Sequence, residues 1–279
     1  MKKRFRRLLA GALTVLMCGT AQAQVELFAV NVGKGDALIV RAGDYTCLID
    51  TGKEKAQEQL EVALKALGVE ALDAVFITHT DKDHTGGLKW LRESDIEIRA
   101  IYASRYYPNT TEKKHQAVKT AKKLDLTVTW LGAGDSVPLG DSGAVFRVLA
   151  PEVEIPDDED DNSLVMMLES PDGRMLLTGD MEHLEEAALL ASGADLRCDV
   201  LKIPNHGDSD ATSAALIAAC SPKVAVISTD SEEKPGTPDP GLLRNLEVFG
   251  CVVYVTQDVS LGVRVTLDGG EVCAEAVNP

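Results

Sequence analysis

The chain alternates short apolar runs with amphipathic stretches for most of its length. Val25 to Val32, Ala37 to Arg41 and Thr46 to Ile49 read as strands, the last two joined by a turn at Gly43-Asp44. Leu60, Leu64 and Leu67 recur at helical spacing, which predicts a helix over 53–67 that Gly68 stops. Ala74 to Thr78, Ile98 to Tyr102, Thr127 to Leu131 and Ala144 to Leu149 read as further strands, with a helix over 111–124 between the second and third. Leu164 to Glu169 and Arg174 to Thr178 flank Pro171-Asp172-Gly173 and predict a hairpin. Helices over 182–192, 211–220 and 240–249 alternate with strands at 200–203 and 223–228, and two last strands close the chain. The pattern has no repeat and no linker. It predicts a layered α/β architecture with mixed sheets.

Charge changes this picture at two places. The full chain of 279 residues has 28 Lys+Arg against 44 Asp+Glu, a net charge of −16. That balance argues against a protein that coats nucleic acid with a basic surface. Five of the basic residues and no acidic one lie in 1–23, so the remainder carries −21. In that leader a basic start precedes the apolar run Leu8 to Met17 and the small residues of Ala21-Gln22-Ala23. This order predicts a secretory signal peptide over 1–23 and a mature domain over 24–279. The apolar run is short for a bilayer span, so no stable membrane span is expected. The expected location is extracellular or periplasmic, with lipid anchoring at Cys18 as the alternative. The second place is 152–161, where seven acids in ten residues read as a solvated loop. The other five cysteines are scattered and lack a C-x-x-C pair, so they form no disulfide framework or zinc ribbon.

Chemistry concentrates in His79-Thr80-Asp81-Lys82-Asp83-His84-Thr85-Gly86-Gly87, directly after the strand ending at Thr78. Two imidazoles and two carboxylates within six residues suit a divalent cation. A polar turn with helix-capping aspartates is the competing reading. Asp50, Asp180 and His206 each follow a predicted strand, where sites collect in α/β sheets.

The order Asp-x-Gly, His-x-Asp-x-Asp-His, Gly-Asp, His-Gly resembles that of the metallo-β-lactamase fold. Val32-Gly33-Lys34-Gly35-Asp36, Asp161-Asn162-Ser163-Leu164-Val165 and Leu201 to Gly207 are similar to segments of the hydrolase domain of ComEC-type competence proteins. The resemblance runs from Val25 to Thr266. It implies a four-layer αββα sandwich and two divalent metal ions, zinc or manganese. By that resemblance His79 and Asp81 would bind one ion, and Asp83, His84 and His206 the other. Asp180 would bridge them, with Asp50, Asn162 and Ser163 as supporting residues. Asp83 or Asp180 would orient a metal-bound hydroxide for attack.

The expected activity is hydrolysis of a phosphodiester, with DNA among the candidate substrates and no feature marking a protein partner. Another ester, a lactone or a cell-wall phosphocholine on the same scaffold is the alternative, as is a secreted metal-binding module without catalysis. The chain departs from the family pattern at Asp81, where many relatives carry His, and at Asn205 and Lys34. It also has Thr237 where the family often carries a His.

Overall fold

The computed structural model describes residues 25–278; the predicted leader and Cys18 lie outside the described residues. Two sheets face each other. The first runs in the order Glu271–Val277, Gly262–Asp268, Val25–Val30, Leu38–Ala42, Tyr45–Ile49, Ala74–Ile77, Ile101–Ser104, Val128–Leu131. The second runs Val252–Val255, Val224–Ile227, Val200–Lys202, Gly173–Leu177, Val165–Ser170, Val145–Ala150, Ser136–Pro138.

Alternation along the strands builds the layers, because successive side chains point to opposite faces. Val25, Leu27 and Ala29 enter the core between the sheets, together with Phe76, Phe146, Met166, Leu168 and Val200. Phe28 and Val30 point the other way and meet Leu60, Leu64 and Leu88 on helices over the first sheet. Val165, Met167 and Leu201 likewise meet Leu189, Leu216 and Leu246 over the second. The result is the expected αββα sandwich.

Each sheet is antiparallel on one side and parallel on the other. Tyr45–Ile49 pairs antiparallel with Leu38–Ala42 and parallel with Ala74–Ile77. Gly173–Leu177 pairs antiparallel with Val165–Ser170 and parallel with Val200–Lys202. These switch points lie where ligands collect in α/β sheets, beyond the carboxyl ends of the parallel strands.

Several boundaries differ from the sequence reading. The strand expected over 98–102 is two pieces, Glu97–Ile98 and Ile101–Ser104, and the first pairs with Ala71–Leu72 in a separate ribbon. The helix expected over 111–124 is Gln116–Lys123, because the His115 side chain accepts from the Ala117 N–H and caps it. Three strands, not two, follow the last helix. The acidic run is not simply solvated. Glu159 and Asp161 are buried, and Asp160–Asn162 is a helical turn.

Candidate metal centre

Five polar segments converge beyond the strand ends. Asp50 follows Tyr45–Ile49, and 79–84 follows Ala74–Ile77. Asp180 follows Gly173–Leu177, His206 follows Val200–Lys202, and Ser228 follows Val224–Ile227. Two of these segments hold non-glycine residues in the left-handed region, at φ 58° for Asp50 and at 40° and 54° for the adjacent Asn205 and His206. Such backbone costs about 1–3 kcal/mol per residue and concentrates at functional sites. Gly35 lets a neighbouring loop approach, since a Cβ there would lie 2.5 Å from the Asp83 carbonyl oxygen.

Asp83, His84, Asp180 and His206 place one donor atom each within 4.8 Å of the others. Asp180 Oδ2 lies 2.9 Å from His206 Nε2 and 3.1 Å from His84 Nε2. Asp83 Oδ2 lies 3.6 Å from His206 Nε2. A second group, His79, Asp160 and Asp180, meets the same limit and shares Asp180 with the first. There His79 Nε2 is 3.5 Å from Asp160 Oδ1.

The tautomers follow from the outer partners. A backbone carbonyl only accepts, so His206 Nδ1–H donates to the Ser228 oxygen at 2.9 Å. His84 Nδ1–H donates to Asp50 Oδ2 at 2.8 Å. The Thr78 hydroxyl donates to Asp50 Oδ2 at 2.7 Å, so its oxygen accepts from His79 Nδ1–H at 3.0 Å. All three imidazoles therefore turn Nε2 toward carboxylate oxygens and leave that nitrogen to a cation or a proton. Lone pairs facing carboxylates repel unless a cation or proton lies between them. His79 Nε2 and Asp180 Oδ1 are also buried without a hydrogen-bond partner. This donor set fits divalent cations.

The charges agree. Burial opposes a charged His84, but the carboxylates of Asp180 and Asp50 outweigh it and raise its pKa well above the ordinary value. Burial favours a protonated Asp180, yet His206 and His84 hold it well below the carboxylate range. Burial also works on Asp83, where His84, His206 and Lys34 prevail and lower it to about 2. Burial, helped by His84, pushes His79 down to about 3 and keeps it neutral. Asp160 moves the other way, up to about 8, through burial and then the charges of Asp180, Asp81 and Glu182. A cation in the second group would take the place of that proton.

The supporting residues divide. Asp50 is buried and holds His84 through Nδ1 and Thr78 through both its backbone N–H (2.9 Å) and its hydroxyl. Ser163 Oγ accepts from the Asp180 N–H at 3.1 Å and lies 3.2 Å from His79 Nδ1. Asn162 works at one remove. Its side chain binds both the N–H and the carbonyl of Ile155 (3.0 and 2.8 Å) and pins the acidic loop that carries Asp160. Asp81 is exposed, precedes the short helix Lys82–Thr85, and joins neither donor group. Thr237 is buried and its hydroxyl is bonded to that of Thr229 at 2.7 Å, next to the Ser228 that anchors His206.

Sequence reasoning missed Asp160, Ser228 and Lys202, and marked Lys34 only as a departure from the family pattern. Lys34 Nζ lies 2.5 Å from Asp83 Oδ2 at the mouth. Lys202 is 0% exposed and reaches across from the second sheet to Asp36 Oδ2 at 2.8 Å. Asp36 and Lys202 fall inside quoted motifs, which was the available signal.

A family model described as the metallo-beta-lactamase superfamily matches residues 30–231. ComE operon protein 3 of Bacillus subtilis is 26% identical over 253 residues, covering 84% of this chain and 32% of that protein. Competence protein ComA of Neisseria gonorrhoeae is 25% identical over 270 residues, covering 96% of this chain and 36% of that protein. The chain thus spans about a third of the length of these relatives. Among solved structures, a diphosphatase from the PhnP family superposes with a TM-score of 0.56 at 14% identity, covering 92% of this chain and all of that one.

Proposed function

The chain belongs to the metallo-β-lactamase superfamily of hydrolases, and on that footing we propose that it is an exported phosphodiesterase working with two divalent cations. One observation carries the dinuclear reading: Asp180 is common to two donor groups that share no other residue. Asp83, His84 and His206 would hold one ion, His79 and Asp160 the other, and Asp180 both. Asp81 stands at the rim of the second position. Bound there, zinc or manganese would supply Lewis acidity toward a phosphoryl oxygen and toward water.

The chain's own residues do the rest. Asp83 is the more accessible of the two central aspartates, with 14% of its side chain exposed against 2% for Asp180. It orients the attacking water, while Asp180 fixes the spacing of the two donor groups. The Lys34 ammonium, beside Asp83, stabilises charge developing on the phosphoryl oxygens. Thr237 is tied to Thr229, so it does not replace the His of relatives as a proton donor, and the leaving oxygen takes its proton from solvent.

The name of a PhnP-family diphosphatase favours a phosphate ester over a lactone. Export rests on the basic, apolar and small-residue order of 2–23. No helix among the described residues is long and apolar enough to cross a membrane. The test is turnover of bis(4-nitrophenyl) phosphate by residues 24–279 with manganese or zinc, beside a lactone and a carboxylic ester. Diester turnover that Asp180→Asn abolishes is expected. Turnover confined to the lactone or ester, or none with any metal, contradicts the reading.

A further inference from the structure

A depression of about 500 Å³ opens beside the centre, with Asp81, Asp83 and Lys114 among its walls. A second, of about 600 Å³, is walled by Lys53, Lys55, Lys82 and Lys89. The two share Lys82, Thr85 and Gln116, so they form one continuous trough leading away from Asp83.

Its charge is opposite to that of the protein. The chain as a whole carries −16, yet the second depression has four lysines and one acid, Glu54. Two of the lysines are held in place: Glu233 accepts from Lys53 and, at 2.7 Å, from Lys55. Among the described residues no carboxylate pairs with Lys82, Lys89 or Lys114. Lys82 directly precedes Asp83, so the unpaired cations begin where the donor group ends. Gathering unneutralised ammonium groups in one concavity costs self-repulsion, which a row of anions removes.

We propose that this trough holds the phosphates flanking the scissile one in a single-stranded polynucleotide. The proposal rests on the phosphodiester reading and narrows it to a chain substrate. The chemistry selects phosphates because the trough continues from a centre suited to a phosphoryl group. A duplex fits poorly, since a rigid rod with a charge every ~1.7 Å would extend past the lysines and meet the net negative charge of the chain. A single strand can follow the lysines and touch little else.

The test compares the mature chain with its Lys82→Gln/Lys89→Gln variant, and with Lys82→Arg/Lys89→Arg to keep the charge. Binding of a labelled oligothymidylate dodecamer is followed by fluorescence anisotropy in EDTA, where no hydrolysis occurs. The Gln variant should bind about tenfold more weakly, and its slope of log affinity against log salt should flatten by about 1.4, two contacts at about 0.7 each. The Arg variant should bind like the parent. With manganese, the ratio of kcat/KM for the dodecamer to that for bis(4-nitrophenyl) phosphate should fall about tenfold in the Gln variant. Unchanged affinity and an unchanged ratio would overturn the trough and leave the diesterase reading intact. Charge-dependent binding by a parent that turns over no diester would refute that reading, and with it the placing of a scissile phosphate, and leave the trough a polynucleotide-binding surface only.

Discussion

The two halves of the centre are built to different standards. Around Asp83, His84 and His206 every imidazole is fixed from behind, His84 by Asp50 and His206 by the Ser228 carbonyl. The nitrogen-to-carboxylate distances to Asp180 are 2.9 and 3.1 Å. Around His79 the support is different: Asp160, 3.5 Å away, comes from a loop rather than from a strand end. The first half is carried by the parallel strands of both sheets, so its geometry is a property of the fold. The second depends on how firmly Asn162 and Glu159 hold one acidic loop. Glu159 does its part by accepting from the Thr80 N–H at 3.0 Å. The difference teaches that one cation position is preorganised and the other is assembled, so they should part under mutation.

The largest effect should come from the residue common to both. Asp180→Asn removes a charge from each group and should lower diester turnover by about a thousandfold or more, on the scale of losing a central electrostatic group. Next is Asp160→Asn, which should cost one equivalent of metal by elemental analysis and leave the tighter position filled. Loss of both equivalents, or of neither, would break the comparison. Asp50→Asn acts from behind on His84 and should weaken metal affinity at the tighter position by about 10–100-fold in a chelator competition. Asp81→Asn should weaken metal affinity at the second position less than Asp160→Asn does; the reverse order would return Asp81 to the ligand set.

The smallest effect concerns stability beneath the loop. Glu185 is buried, both its carboxylate oxygens lack partners, and burial followed by the charges of Asp161 and Asp158 raises its pKa well above the ordinary value. A raised carboxyl pKa destabilises the fold as pH climbs above the unfolded value, because only the unfolded chain can release the proton freely. Glu185→Gln should therefore raise the Tm at pH 8 and lose that advantage by pH 4, read by thermal unfolding at both pH values. An equal gain at both would show that the ionisation is not the cause.

The sequence made the preorganised half legible and concealed the assembled one for a physical reason. Short apolar runs such as Val25 to Val30 expose a strand locally, and Asp50, Asp180 and His206 lie within four residues of the ends of such runs. Asp160 sits in a run of seven acids in ten residues, which by composition belongs in water. What buries part of that run is long-range: Asn162 bonding Ile155, and Asp161 accepting from the N–H groups of Glu182 and Glu185 at 2.8 and 3.1 Å. No local pattern encodes those partners. The same limit hid Lys202, a lysine in a strand whose only sign of burial is its flanking by Leu201 and Ile203.

The central claim is that one aspartate joins two cation positions of unequal strength. Titration of metal-free residues 24–279 with manganese, followed by calorimetry at neutral pH, measures this directly. The account predicts two equivalents per chain, one bound more tightly than the other, and loss of both steps in Asp180→Asn. A single equivalent in the parent, or two that survive Asp180→Asn, would contradict it.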